Sequence, residues 1–243
     1  MNPNIRYISP FSGSWWRGTQ YSMLIIYANL ILWFVFFLSS NIRGIHLGEF
    51  VNRYLAISPA FTIQHFYFWT LVTYAFVHID IWHVFFNMLL VLFFGPRIER
   101  DMGRRRFITF YFLCAIGGAL VSILAKTLLN VPNPTIGASG AVLGVMVAYG
   151  MLYPRDRIYI WGILPVSAWT LVIGTVVLQF LFIIQSGAGS QTDYWAHIGG
   201  LATGFAYMYS WFNSMHRGGG PRIRIANWRG EESGDERSYY LEK

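Results

Sequence analysis

Gly137-Ala138-Ser139-Gly140 opens an apolar run too short to cross a bilayer, and His197 sits one turn inside a later apolar run. A hydroxyl and an imidazole at membrane depth are costly to keep there and point to function. Together they make a nucleophile and a general base, and the glycines beside them let neighbouring backbones come close. The chemistry that suits this pair is hydrolysis by a serine within lipid. From Ser139 to Tyr153 the run has 15 residues, about 22 Å of helix against a hydrocarbon core about 30 Å thick. The serine therefore starts below the outer surface. It also lies at a helix N-terminus, where unsatisfied backbone N–H groups face an incoming anion, although serine is equally a common helix cap.

The remaining polar groups in the apolar runs sort by spacing. His83 and Asn87 are four residues apart, share one helix face and suit donation to a developing oxyanion. His78 and His83 are five apart, about 140° around a helix, whereas paired metal ligands use a spacing of four. No metal and no cofactor is expected, and His78 reads as a structural residue near the surface. No carboxylate lies deep in any run; Asp193, four residues before His197, either orients that ring or is solvated at the water interface. His197, Gly200 and Gly204 fall on one face, as do Gly140, Gly144 and Ala148. Two such faces pack closely and would bring the imidazole to Ser139. Cys114 is the only cysteine, so the chain forms no intramolecular disulfide, and core packing is its expected role.

These residues need spanning elements to hold them. The 243 residues are 55% hydrophobic and 12% charged, with a mean hydropathy of +0.42, a polytopic membrane composition. Apolar stretches near 21–39, 67–94, 107–125, 139–153, 158–184 and 194–213 give six helices. Positive charge sets the orientation. With both termini cytoplasmic, the inner segments hold Arg6, Arg17, Arg97, Arg100, Arg104, Arg105, Arg106, Arg155, Arg157 and the basic residues of the tail, leaving Arg43, Arg53 and Lys126 outside. That asymmetry accounts for the net charge of +7 through lipid headgroups, without nucleic acid. The chain divides into a cytoplasmic lead-in (1–20), an all-α membrane domain (21–213) and a polar tail (214–243) expected to be disordered. Within the membrane domain, 42–66 reads as an amphipathic loop at the outer interface. Gly95-Pro96, Pro132-Asn133-Pro134 and Pro154 read as helix stops, and 186–192 as a flexible link.

Over roughly residues 42–213 the chain resembles the rhomboid intramembrane serine proteases. The family's Gly-x-Ser-Gly is Gly137-Ala138-Ser139-Gly140, its His-x4-His-x3-Asn is His78, His83 and Asn87, and its Ala-His-x2-Gly-x3-Gly is Ala196-His197, Gly200 and Gly204. Trp69-Thr70-Leu71, and Glu99 with Gly103, also fit. The resemblance implies a six-helix core, an integral multi-pass protein of a plasma or inner membrane, and a Ser139–His197 dyad without an obligatory acid. It implies that the Ser139 N–H, His83 and Asn87 stabilise the oxyanion. Single-span membrane proteins, cut near the outer face beside a helix-destabilising stretch, would be the substrates. The fifth span and its following loop would gate access. Two positions depart from the family: Leu143 stands where many relatives place an aromatic ring against the histidine, and Thr70 follows Trp69 where some relatives carry a Trp-Arg pair. Two other readings remain at this point, a rhomboid-like chaperone that binds membrane helices without cutting, and a transporter. The intact serine and histidine disfavour the first, and the lack of repeated halves disfavours the second.

Overall fold

Glycines recurring at three- and four-residue intervals in apolar sequence favour helices that touch backbone to backbone. The structure, a computed structural model, describes residues 20–40, 47–160, 162–186 and 192–217. In chain order come α1 (Gln20–Ser40), the short amphipathic α2 (Leu47–Tyr54), a π-helical turn (Pro59–Gln64) and α3 (Thr70–Thr73), which runs into a 3-10 turn (Tyr74–Phe76). Then follow α4 (Ile81–Met102), α5 (Arg104–Leu128), α6 (Ser139–Leu152), an antiparallel hairpin of β1 (Arg157–Ile160) and β2 (Leu164–Ser167), α7 (Ala168–Ser186) and α8 (Tyr194–Arg217). Among the described residues, α1, α4, α5 and α7 are long and apolar enough to cross a membrane, while α6 is a shorter apolar helix. Residues 1–19 of the lead-in, 41–46 at the start of the interfacial segment, 187–191 of the link and the tail beyond residue 217 lie outside the described residues.

Two apolar stretches fold differently from their hydropathy. In the second, residues 67–80 form short turns, and the long helix starts only at Ile81, where the Asp80 carboxylate accepts from the Trp82 and His83 N–H groups. That helix then runs through Gly95-Pro96 to Met102. Both residues are buried, and neighbouring helices support a proline-bearing membrane helix that would break in water. The stop falls instead at Gly103, whose φ of +79° allows the one-residue corner into α5. The other stretch, 158–184, begins as the hairpin, with Arg157 paired to Ser167, and becomes helical at Ala168.

α6 sits in the middle of the bundle, with every residue from Gly140 to Gly150 buried. A helix of 14 residues enclosed in this way has no side left to face lipid. Its closest neighbours meet it through glycine. A Cβ added to Gly200 would lie 2.0 Å from the Gly140 carbonyl oxygen, and one on Gly204 would lie 2.8 Å from the Gly144 Cα. On its other side, a Cβ at Gly144 would lie 2.5 Å from the Cys114 sulfur, so the lone cysteine fills core space as expected. α8 reaches α5 the same way, Gly199 lying over the Gly117 carbonyl.

α1 is tied on by a carboxylate. Glu99 on α4 is 1% exposed and accepts the Gln20, Tyr21 and Ser22 backbone N–H groups, each at 2.9 Å, together with the Ser22 hydroxyl. The orphan donors of the α1 N-terminus thereby satisfy a buried charge.

The glycine contact gives the first prediction. Gly200→Ala must push α6 and α8 apart, and overpacking of this kind costs about 1–3 kcal/mol. Its unfolding temperature in detergent should fall, whereas Gly174→Ala, at a glycine with open space around it, should leave it nearly unchanged.

Candidate active site

The serine arrives on a loop fixed at three points. Thr135 exchanges backbone hydrogen bonds with Ile57 at 2.8 and 3.0 Å, the Gly137 N–H donates to the Tyr74 carbonyl at 2.8 Å, and the Ala138 N–H donates to His78 Nε2 at 3.3 Å. Helix α6 begins at Ser139 itself, with Ala138 before it already in helical conformation. The serine hydroxyl is therefore not spent as a cap. Its Oγ lies 2.7 Å from His197 Nε2.

His197 enters from α8, held at this depth by the Gly140–Gly200 contact one turn away. Its other ring nitrogen, Nδ1, is 2.8 Å from the Gln179 side-chain oxygen on α7. Tyr194 presents an edge to the imidazole, ring centroids 6.0 Å apart, and Phe182 stacks on Tyr194 at 5.4 Å. An aromatic neighbour of His197 thus comes from α8, while Leu143 is buried in the core. Sequence reasoning missed Gln179 and Tyr194. The signals were present: an amide set well inside an apolar helix, and a ring three residues before the histidine.

His83 and Asn87 share a face of α4 as expected, and the Asn87 amide donates to the His83 carbonyl at 2.9 Å. The loop meets this face at Gly137, where φ is +117° and an added Cβ would lie 2.6 Å from His83 Nε2. Only glycine lets the His83 ring lie against the serine loop. His78 is buried within the protein: it is 5% exposed, packs edge to face on His83 at 4.8 Å, and accepts from the loop amide. Its place in a buried turn ahead of α4, rather than on a helix, explains why helical spacing misplaced it.

Asp193 does not hold His197. One of its oxygens accepts from the Ala196 N–H at 3.0 Å. The other meets Lys126 at 2.9 Å and the hydroxyls of Ser122 and Thr135. Nor is it solvated, since its side chain is 7% exposed. Lys126 also donates to the Asn133 carbonyl at 2.8 Å and to the Thr135 hydroxyl. This cluster joins the end of α5, the serine loop and the start of α8. Burial alone would raise the Asp193 carboxyl, but the Lys126 ammonium and the two hydroxyl donors outweigh it and hold the group below the usual carboxylate range.

A depressed carboxyl stabilises the fold above its unfolded value of about 4 and loses that contribution as pH falls through the lower folded value. Wild-type unfolding temperature should thus drop on acidification in that window, and Asp193→Asn should flatten the dependence. Asp193→Ala, which strands a buried ammonium, should cost about 3–5 kcal/mol. Thermal unfolding across pH measures both.

Comparison with known proteins identifies the family. A family model described as the Rhomboid domain matches residues 65–214. Rhomboid protein 1, mitochondrial, of Saccharomyces cerevisiae is 28% identical over 172 residues, 68% of this chain and 47% of its own length. RHOMBOID-like protein 4 of Arabidopsis thaliana is 33% identical over 171 residues, 67% of this chain and 41% of its own. Rhomboid protease GluP of Bacillus subtilis is 33% identical over 140 residues, 56% of this chain and 25% of its own. The chain thus spans less than half the length of these relatives. With a matching domain over most of its helices and glycine-packed motifs in the family's order, the chain belongs to the rhomboid family.

Proposed function

We propose that this chain is an intramembrane serine endopeptidase in which Ser139 is the nucleophile and His197 the general base. The observation that carries the reading is the 2.7 Å contact between Ser139 Oγ and His197 Nε2, with the opposite ring nitrogen facing an acceptor. In the reaction, Oγ attacks a peptide carbonyl while its proton passes to Nε2. The carbonyl oxygen gains the negative charge, and on this reading the Ser139 N–H, His83 and Asn87 stabilise it. Return of the proton from His197 to the departing amine breaks the C–N bond and leaves an acyl-serine. Water, deprotonated by the same ring, then releases the acid. The protease name of the Bacillus subtilis relative supports this reading.

On this reading α6 and α8 complete six spans, with both termini cytoplasmic in a plasma or inner membrane. Charge supports the orientation. Arg97, after the middle of α4, pairs with Asp156, after α6, at 2.5 Å, so the arginine-rich ends of both helices lie together, away from Ser139. Substrates would be single-span membrane proteins cut near the outer face. A helix keeps its carbonyls bonded and wrapped in side chains, so a segment must unwind to reach Ser139.

Ser139→Ala and His197→Ala should each abolish cleavage of a membrane-anchored reporter in purified micelles, and the double variant should be no worse, because groups acting as a unit are not additive. Retained cleavage in Ser139→Ala would overturn the dyad, and helix binding with no Ser139-dependent cleavage by the wild-type chain would favour the chaperone reading. Asn87→Ala should lower turnover by about 10²–10³ with substrate binding little changed. A reporter carrying Gly-Ala below the outer face should be cut faster than its Leu-Leu counterpart, since it loses less helical stability on opening.

A further inference from the structure

Gln179 places an amide between Leu178 and Phe180, well inside α7, and such a group is costly at membrane depth unless it is hydrogen-bonded. It is 8% exposed, and its side-chain oxygen lies 2.8 Å from His197 Nδ1. The neighbouring residues of α7 explain how it reaches the site. Ala168, Val172, Thr175, Gln179 and Phe182 recur at alternating spacings of four and three, one helix face. Val172 packs where a Cβ on Gly150 would lie 2.6 Å from its methyl, Thr175 meets the Met146 sulfur at 3.9 Å, and Phe182 stacks on Tyr194. Much of the remaining surface is exposed, including Ile173, Val177, Phe180, Leu181 and Ile184.

We propose that Gln179 is a positioning residue that holds His197 in the tautomer protonated on Nδ1. This rests on the Ser139–His197 reading above. A carbonyl oxygen only accepts, and a neutral imidazole carries one N–H. The Nδ1 proton therefore points at Gln179, and the Nε2 lone pair is left for the Ser139 hydroxyl. The opposite tautomer would donate to Ser139 and could not take its proton. The bond survives the step. When the ring becomes imidazolium, Nδ1–H still donates to the same oxygen, now as a charge-assisted hydrogen bond. A neutral amide thus does the orienting work of a triad carboxylate, while Asp193, the nearby acid, is committed to Lys126, Ser122 and Thr135.

Two variants test the role by Ser139-dependent cleavage of a reporter, with Ser139→Ala as the blank. Gln179→Met keeps the length of the side chain and removes the acceptor; kcat should fall about 10–10²-fold with KM little changed. Gln179→Glu keeps an acceptor and should hold kcat within a few-fold of wild type at its optimum. A carboxylate there would stabilise the imidazolium, so the ring would lose its proton only at higher pH and the acid limb of the kcat profile should move upward. Wild-type turnover in Gln179→Met, or equal turnover of the two variants at every pH, would overturn the positioning role. Should Gln179→Met fail to fold, the acid limb of Gln179→Glu decides, and an unshifted limb overturns the role. A wild-type chain lacking Ser139-dependent cleavage would overturn the protease reading itself; intact cleavage insensitive to residue 179 would overturn only this inference.

Discussion

The approach of Gly200 to the Gly140 carbonyl is the constraint on which the site depends. A serine one residue before Gly140 and a histidine three before Gly200 meet at hydrogen-bond distance only if their helices are nearly in backbone contact. In lipid, no hydrophobic gain drives helix against helix, so close van der Waals packing must supply the attraction, and glycine provides the access. The same requirement extends through α5, where Gly117 and Gly118 face α8. The short, enclosed α6 is part of this solution. The loop before α6 enters the bundle and brings Ser139 to its interior.

Irregular backbone at that depth must satisfy its polar groups within the protein. The serine loop does so through Ile57, the Tyr74 carbonyl, the His78 ring and the Lys126 ammonium. Lys126 and Asp193 give this arrangement its direction. Each ion alone would be costly, and together with two hydroxyls they join the element that carries Ser139 to the element that carries His197. A buried pair of this kind contributes little net stability compared with an apolar substitute but penalises any other arrangement of the three elements. Glu99 plays the corresponding part at the other end, converting the unsatisfied N-terminus of α1 into a fixed contact.

What could be read from sequence divides along this line. Spacing singled out Ser139 with His197 and His83 with Asn87, because residues that share a helix face can be counted and glycine faces announce close packing, and the structure brings each pair together. Hydropathy located the apolar stretches but blurred their ends. Pro96 looks like a stop to any local rule, yet burial and neighbouring helices carry α4 past it. Ile158 and Leu164 are as apolar as the helix that follows, yet they form a hairpin. Partners distant in sequence were not legible. Asp193 lies one turn from His197 and invites a triad, but Lys126, on a different helix, claims its carboxylate. Gln179 is 18 residues from the ring it touches, and only the packing of α7 against α6 and α8 brings them together.

That last contact bears on how the histidine is held as a whole. Its backbone is fixed from one side by the glycine contact of α8 with α6, and its ring is fixed from the other by the amide of α7 and the edge of Tyr194. The two restraints differ in kind. The first is steric, between fully buried backbones, and yields only if the core repacks. The second is one hydrogen bond from α7, a helix whose other faces are largely exposed, and one ring contact from Tyr194 on α8 itself. Loss of the α7 amide would therefore leave the position of the imidazole unchanged and remove one of the two restraints on its orientation.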